Sequence, residues 1–348
     1  MHRRTFLATS LGALASSASP APAPRVKFGV DLFSIRSQKW TPFQYLDYCA
    51  KHGVEVVHFS EIRFIGGLEE EHLKRVRAHA EKLGIEIEIG MMSICPTSKM
   101  FRAADGTAEE QLTRMIRAAN VVGSKIIRCV LGSSADRQPP LGIEGNIEST
   151  VKVLRAVRSR VMDAGLKIAI ENHAGDMQAR EMKMLIEEAG KDFVGACLDS
   201  GNPVWAIEDP HLTLETLAPY VLTSHVRDSA VWATPNGAAV AWTRMGEGNI
   251  GIDDYVRKYA ELCPGKALSL EIIVTGPREF NYHDPKFWEA YRNMPAWEFA
   301  RFVALVQKGT PRPAPPRVPR EDAAARERED LEVSIAYTKE LLKKIAST

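Results

Sequence analysis

The chain has 348 residues, with 45 Lys and Arg residues against 44 Asp and Glu residues, and a hydrophobic content of 45% that is enough for a large core. A formal net charge of +1 provides no broad basic surface, which excludes duplex nucleic acid as the main partner. The five cysteines form no CxxC pair, which excludes zinc-ribbon and thioredoxin-like chemistry, and no apolar stretch is long enough to span a bilayer.

The first 24 residues have the pattern of an export signal rather than of a folded domain. An arginine pair, Arg3 and Arg4, precedes a weakly apolar, Ala- and Ser-rich run that ends near Ser19. Paired arginines, a short apolar region and small residues before a cleavage point are typical of a twin-arginine signal. We therefore expect residues 1–24 to be a signal peptide and spacer, and the protein to be exported to the periplasm. The alternative is a basic leader with no targeting role.

Residues 25–309 repeat a strand–helix unit eight times. Most of the amphipathic helical stretches end at a glycine, which supplies a left-handed helix cap, and a short β-branched run follows each stretch. Apolar runs of this kind are typical of parallel strands that are buried on both faces. Eight near-even units predict a closed (β/α)₈ TIM barrel, with an open doubly wound sheet as the alternative. The predicted strands are Val26–Val30, Val54–Phe59, Ile85–Ile89, Ile126–Leu131, Leu166–Ile170, Val194–Leu198, Val221–His225 and Ala267–Leu270.

The last 39 positions, residues 310–348, are expected to form a proline-rich linker and a C-terminal helix. Closely spaced prolines between Thr310 and Arg320 predict a stiff, extended segment. The charged stretch that follows carries an apolar stripe at helical spacing, which must pack either on the barrel or on a neighbouring subunit. The sequence therefore leaves open whether the chain forms a homo-oligomer. The stripe consists of Leu331, Ile335, Leu342 and Ile345.

Polar residues end the last four predicted strands, and these residues are Glu171, Asp199, His225 and Glu271. Because the carboxyl ends of barrel strands meet at one rim, where active sites lie, we expect the four side chains to be neighbours. Three carboxylates brought together repel one another unless a cation lies among them. One imidazole and three carboxylates suit Mn²⁺, Mg²⁺ or Co²⁺, with Zn²⁺ as a further candidate. The pattern predicts one divalent metal, whereas any one of the four residues alone would be read as a cap or an ion-pair partner.

Four short motifs contain these residues: Glu171-Asn172-His173, Leu198-Asp199-Ser200-Gly201-Asn202-Pro203, His225-Val226-Arg227-Asp228 and Ser269-Leu270-Glu271. In their order and strand-end position they resemble the motifs of the sugar phosphate isomerase/epimerase family, the xylose-isomerase-like TIM barrels. The resemblance extends roughly from Val26 to Lys308. It implies that one divalent metal, usually Mn²⁺, is held by the four strand-end residues. It also implies that the two glutamates face opposite sides of a bound keto sugar.

The predicted residues also allow a mechanism to be derived from their own chemistry. A metal chelated by a substrate carbonyl and its neighbouring hydroxyl acidifies the adjacent C–H bond. A carboxylate then removes that proton and gives a cis-enediolate. Proton return from the opposite face is an epimerisation, and return to the neighbouring carbon is an aldose–ketose isomerisation. Glu171 and Glu271 are the predicted general acid/base pair.

Four further residues are predicted to bind the substrate. Arg227 and His173 are candidates to donate hydrogen bonds to developing oxyanions. Their structural alternatives are an ion pair between Arg227 and Asp228 and the bracing of a loop by His173. Asn202, three residues after Asp199, is predicted to contact the sugar. The same contact is predicted for Glu61, at the end of the second strand.

The leading hypothesis is a metal-dependent isomerase or epimerase that acts on a small carbohydrate, a keto sugar or a related polyol ketone. A lyase on the same scaffold is the first alternative, because the same enolisation followed by loss of a β-leaving group would cleave a keto sugar or a 3-keto-glycoside. A non-catalytic sugar-binding protein with a structural metal is the second alternative. Replacing Glu271 by Gln separates a catalyst from a binder, since only a catalyst exchanges the proton at the substrate's α-carbon.

Overall fold

Eight parallel strands form the centre of the computed structural model, which describes residues 25–316 and 318–347. Successive strands pair in chain order, and the first strand also pairs with the last. Hydrogen bonds from Val226 N to Ser269 O (2.7 Å) and from Glu271 N to Val226 O (3.1 Å) close the ring. The predicted (β/α)₈ TIM barrel and its eight strands are confirmed. The barrel strands are β1 (Lys27–Asp31), β2 (Val56–Phe59), β3 (Glu86–Ser93), β4 (Ile126–Val130), β5 (Lys167–Glu171), β6 (Val194–Asp199), β7 (Val221–His225) and β10 (Ala267–Leu270).

Helices on the outside of the barrel cover the strands. Helix α3 shows how the local sequence sets their limits: Thr107 and Glu110 form a capping box at its start, and Gly123 ends it with φ 86°. The helix buries one apolar face against the barrel and leaves charged residues in solvent. The outer helices are α1 (Pro42–Lys51), α2 (Glu70–Leu83), α3 (Ala108–Val122), α4 (Gly142–Asp163), α5 (Ala179–Ala189), α6 (Pro210–Leu217) and α7 (Ile252–Leu262).

The segment that follows β7 forms a second, smaller sheet. Strands β8 (Asp228–Thr234) and β9 (Gly237–Thr243) form an antiparallel hairpin, and β11 (Arg278–Phe280) pairs with the free edge of β9. Both hairpin strands are almost entirely buried, and pairing satisfies backbone groups that a buried loop would leave without partners. At Gly237 the φ angle is 152° and a Cβ would lie 2.1 Å from Phe280 O, so the turn requires glycine.

Two helices complete the chain after the last barrel strand. Helix α8 (Ala296–Lys308) packs on β8, and helix α9 (Ala323–Ala346) takes the place of an eighth barrel helix between α1 and α7. On one side Tyr48 of α1 donates a hydrogen bond to Glu332 (3.0 Å), and on the other side Tyr337 of α9 donates to Asp253 of α7. The apolar stripe packs on the barrel of the same chain, where Leu331 and Ile335 are buried and Leu342 and Ile345 are partly buried.

Two expectations from the sequence stay predictions. The export signal expected in residues 1–24 lies outside the described residues and stays a prediction, as do the domain boundaries after residues 24 and 309.

In the described ranges, every helix is too short or too polar to cross a lipid bilayer.

Truncation of a buried side chain of α9 tests whether this helix packs on the barrel. Leu331 is fully buried, so Leu331→Ala should lower the free energy of unfolding by about 2–5 kcal/mol in urea denaturation. The matched control is Val333→Ala, two residues along the same helix. Its side chain is 41% exposed, so a change within about 0.5 kcal/mol is expected. Equal effects of the two substitutions would contradict this packing.

Candidate active site

The four residues predicted as metal ligands meet at the carboxyl-terminal rim of the barrel. Glu171, Asp199 and His225 are the last residues of β5, β6 and β7, and Glu271 follows β10 directly. One ligand atom from each residue lies within 4.8 Å of the others. Each of the four residues is at most 6% exposed. Barrel closure therefore brings together three carboxylates and one imidazole in a buried cluster.

His225 directs one ring nitrogen toward the carboxylates and the other toward the barrel interior. Its Nδ1 lies 3.1 Å from Glu171 Oε2 and 3.4 Å from Glu271 Oε2, but makes no well-oriented hydrogen bond. Its Nε2 lies 2.9 Å from Nδ1 of His58, which is buried on β2. When Nε2 carries the proton and donates a hydrogen bond to Nδ1 of His58, the Nδ1 atom of His225 presents a lone pair to the carboxylate cluster.

Two buried arginines balance the negative charge of the cluster. Arg128, on β4, pairs with Glu171, and Arg227 pairs with both Asp199 and Glu271. The alternative pairing of Arg227 with Asp228 is not formed. Asp228 instead accepts hydrogen bonds from the backbone of the residue after it and of a glycine in the loop before α7, each at 2.7 Å.

These contacts decide the charge state of the two glutamates. Burial alone raises the pKa of Glu171, but Arg128 and His225 outweigh it and hold this pKa well below its usual range. Burial opposes ionisation of Glu271 as well, yet Arg227 and His225 lower its pKa to about 2. Both predicted acid/base residues are therefore ionised carboxylates at neutral pH.

The remaining two members of the cluster carry protons that a metal would displace. Burial raises the pKa of Asp199 to about 7, and the neighbouring carboxylates add to this rise. For His225, burial disfavours the charge, but the surrounding carboxylates hold the pKa well above its ordinary value. The imidazolium thus supplies positive charge among carboxylates that would otherwise repel one another.

The residues present fit a divalent cation. Carboxylate oxygens with one imidazole nitrogen are a donor set that Mn²⁺, Mg²⁺, Co²⁺ and Zn²⁺ accept. The Nδ1 atom of His225 is buried without a hydrogen bond and faces the carboxylates, as an unused ligand atom would. Glu171, Asp199, His225 and Glu271 are the residues that could hold the ion.

Three buried polar residues next to this cluster were missed by the sequence analysis as functional residues. Asp31 ends β1, His58 lies on β2 and Arg128 lies on β4. Asp31 Oδ2 is 3.3 Å from His225 Nε2, so Asp31 and His58 together contact the inner side of the imidazole. A signal was present in the sequence, because His58 and Arg128 each interrupt an apolar strand, where an unpartnered polar group is costly.

A cavity of about 120 Å³ opens onto the cluster. It is lined by both glutamates and by all four residues predicted to bind the substrate, so the structure brings these six residues together. Phe33, Met92 and Trp242 provide apolar parts of the wall. The substrate-binding candidates that line the cavity are His173, Arg227, Asn202 and Glu61.

The contacts of these candidates define what each can offer to a ligand. His173 donates from Nδ1 to the carbonyl of Gly132 (2.7 Å), and burial lowers the pKa of the imidazole, so the neutral ring offers Nε2 as an acceptor for a hydroxyl. The ring nitrogen that faces a ligand is therefore an acceptor, not the donor to an oxyanion that the sequence predicted. Asn202 donates from Nδ2 to Glu171 Oε1 at 3.3 Å. Glu61 contacts Nε of Arg63 at 2.5 Å and remains at the edge of the cavity.

Stacked side chains hold Arg227 in its orientation. The rings of Trp205 and Trp242 are parallel within 10° with centroids 4.0 Å apart. The Arg227 guanidinium lies 4.4 Å from the Trp242 centroid, and that of Arg278 lies 4.5 Å from the Trp205 centroid. This four-layer stack restricts the plane of Arg227, whose buried Nε has no hydrogen-bond partner among the described residues.

Comparison with known proteins assigns the chain to a family. Residues 46–289 match the family model described as xylose isomerase-like TIM barrel, so the chain belongs to this family, as its motifs predict. A 3-oxo-isoapionate decarboxylase from Pectobacterium atrosepticum is 24% identical over 185 residues, which are 53% of this chain and 60% of that protein. The match therefore covers less than two thirds of the length of this curated relative.

Solved structures with the same fold include one with a bound metal and one with a bound sugar. The IolI protein with a bound zinc atom is 14% identical, has a TM-score of 0.57, and covers 89% of this chain and 98% of its own. The D-psicose 3-epimerase of Clostridium cellulolyticum H10, solved with D-tagatose, is 13% identical, has a TM-score of 0.58, and covers 88% and 98%. At these identities the similarity shows the fold alone.

The contact between His58 and His225 predicts an effect on metal affinity. His58→Leu removes the acceptor that fixes the imidazole, so Mn²⁺ should bind about 10–100-fold more weakly in chelator-competition titrations. His79→Leu, at a histidine on the outer surface of α2, is the control and should leave the affinity unchanged. Equal Mn²⁺ affinity of the two variants would show that His58 does not support the site.

Metal affinity should also depend on pH. With its pKa raised to about 7, Asp199 is protonated below neutrality in the metal-free protein, and His225 is protonated as well. Mn²⁺ binding must release these protons, so affinity should rise with pH through 7, by about tenfold per pH unit for each proton released. Parallel titrations at several pH values between 6 and 8 measure this slope. A pH-independent affinity would contradict the proton assignments.

Proposed function

We propose that the protein is a divalent-metal-dependent sugar isomerase or epimerase that acts on a keto sugar or a related polyol ketone through a cis-enediolate. The observation that carries the proposal is the pair of ionised glutamates, Glu171 and Glu271, which line one cavity and both lie close to Nδ1 of His225. A carboxylate in this state is a base for a C–H proton next to a ketone. The epimerase among the structures that share this fold supports the choice of substrate class.

The metal would be held by Glu171, Asp199, His225 and Glu271, with Mn²⁺ as the expected ion and Mg²⁺, Co²⁺ or Zn²⁺ as alternatives. The bound cation would polarise the ketone and stabilise the negative charge that develops on its oxygen. The zinc atom in the IolI structure supports a divalent metal in a barrel of this kind.

Proton transfer is assigned to the two glutamates. Arg227 binds Oε2 of Glu271, so Oε1 is the oxygen assigned to the α-proton. Glu171 is held by Arg128 at Oε2 and by Asn202 at Oε1, which fixes its carboxylate plane. For epimerisation, Glu171 must first take up a proton from water, and delivery of that proton to the opposite face inverts the carbon and returns Glu171 to its ionised form. Return by Glu271 of the proton that it has removed, to the neighbouring carbon, interconverts ketose and aldose.

The other lining residues orient the sugar. Nε2 of neutral His173 accepts a hydrogen bond from a substrate hydroxyl, and the free Nε of Arg227 donates one to a substrate oxygen. Both groups are held by the protein before the substrate arrives, which reduces the entropic cost of positioning it. Burial of the cluster excludes water that would otherwise compete for these hydrogen bonds.

Deuterium exchange tests the proposal. The Mn²⁺-loaded protein, incubated in D₂O with a panel of ketohexoses and 3-keto-glycosides, should exchange the α-proton of a substrate, as followed by ¹H NMR. Glu271→Gln should slow this exchange by a factor of about 10²–10⁴. Bound Mn²⁺ is quantified in the same samples, so that loss of the proton carrier is separated from loss of the metal.

The control for this experiment is Glu279→Gln, at an exposed position on β11, which should exchange at the wild-type rate. Absence of exchange with every ketone, in protein that retains Mn²⁺, would reject the isomerase or epimerase.

A lyase is the second candidate, and the match to a 3-oxo-isoapionate decarboxylase favours it. Loss of CO₂ from the carbon next to a ketone leaves its electron pair in an enolate, the same species that proton removal produces, and a carboxylic acid side chain then protonates the carbon. A β-elimination also begins from that enolate. Release of CO₂ from a 3-oxo sugar acid, without deuterium exchange into unreacted ketoses, would select decarboxylation over isomerisation.

A further inference from the structure

A second cavity of about 790 Å³ opens beside the catalytic one, at the rim after β2 and β3. We call it the side groove. Glu61 and Met92 line both the side groove and the cavity at the carboxylate cluster, so the two spaces meet at these residues. The space available to a substrate is therefore larger than the cavity at the carboxylate cluster alone.

The two cavities differ in volume, and this difference indicates how large the substrate is. Binding pockets for small molecules span roughly 300–1,000 Å³. The catalytic cavity, about 120 Å³, falls below this range, while the side groove, about 790 Å³, lies within it. A ligand that places its ketone at the cluster and fills both spaces must carry a second large group on the sugar.

The lining of the side groove indicates the chemistry of that second group. Its apolar part contains four methionines together with Leu68, whose side chain is 40% exposed to solvent. Methionine sulfur makes favourable contacts with aromatic rings and adapts to ligands of different shape. An exposed apolar surface that adjoins a catalytic cavity is typical of a ligand site. The methionines are Met91, Met92, Met100 and Met115.

The charged residues of the side groove favour an aromatic over an anionic group. Arg63 is paired with Glu61, and Arg114 donates to the backbone carbonyl of Asp105, so each of these guanidiniums already has a partner within the protein. The exposed Arg102 can stack its guanidinium plane on an aromatic face. The two carboxylates of the same lining, Glu61 and Asp105, offset the charge of two of its three arginines.

We propose that the side groove binds an aromatic group attached to the sugar, so that the substrate is an aryl keto-glycoside. This inference rests on the proposed function for the sugar part of the ligand, whereas binding of the aryl group requires no turnover. The side groove would then act as the specificity site, since the carboxylate cluster recognises features that all keto sugars share.

Isothermal titration calorimetry of the Mn²⁺-loaded full chain tests the inference with phenyl and methyl D-glucopyranosides, as both anomers. The phenyl glycoside should bind at least about tenfold more tightly, because burial of an aromatic ring adds apolar contact. Met100→Ala, at a half-buried loop position, should reduce this preference several-fold. Met184→Ala, at a 37% exposed methionine on α5, is the matched control and should retain it.

A second variant keeps the test independent of the packing around Met100. Ala104 is exposed and lines the side groove, so Ala104→Trp should fill the space and abolish the phenyl preference without weakening the methyl glycoside. Equal affinities for phenyl and methyl glycosides, or no binding of either, would overturn the inference. A preference for 4-carboxyphenyl over phenyl that Arg102→Ala removes would also overturn it, by showing an anion site.

The two proposals fail separately. Deuterium exchange into simple ketoses without a phenyl preference would overturn the side groove assignment and leave the isomerase or epimerase intact. A phenyl preference without exchange into any keto sugar would support the side groove and reject the isomerase or epimerase.

Discussion

Repulsion among buried carboxylates is the constraint on which the rim of this barrel depends. Closure of eight parallel strands brings Glu171, Asp199 and Glu271 within a few ångströms of one another, at positions with almost no solvent to screen their charge. The chain balances this charge with Arg128, Arg227 and the imidazolium of His225. In the metal-free protein these positive groups offset the carboxylates, so a divalent cation can bind only when His225 and Asp199 release their protons.

The same contacts give the three carboxyl groups different protonation states. Arginine contacts keep the two glutamates ionised, while burial keeps a proton on Asp199 up to about pH 7. Carboxylates in equivalent surroundings would not differ in protonation state in this way. The Trp205–Trp242 stack contributes at a distance, since it holds the plane of the arginine that contacts two of the three carboxylates.

Local sequence patterns predicted what depends on local chemistry. The strands, the helix caps and the polar strand ends follow from periodicity and from residues near one another in the chain, so the barrel and the positions of the four predicted ligands could be derived. The contact between His58 and His225 joins residues 167 positions apart, and only the register of the closed barrel brings them to 2.9 Å. The hairpin after β7, the orientation of His173 and the side groove likewise depend on tertiary packing, which single-sequence patterns do not contain.

The central claim is that the carboxylate cluster is built around a divalent cation, and metal content tests it most directly. Inductively coupled plasma mass spectrometry of the purified full chain, beside a Glu171→Gln/Glu271→Gln double variant, should find one equivalent of Mn²⁺ or a similar ion in the wild type and a clear reduction in the variant. Absence of metal in the wild type, with none taken up on titration, would contradict the account. The carboxylates would then serve as ion-pair partners of Arg128 and Arg227.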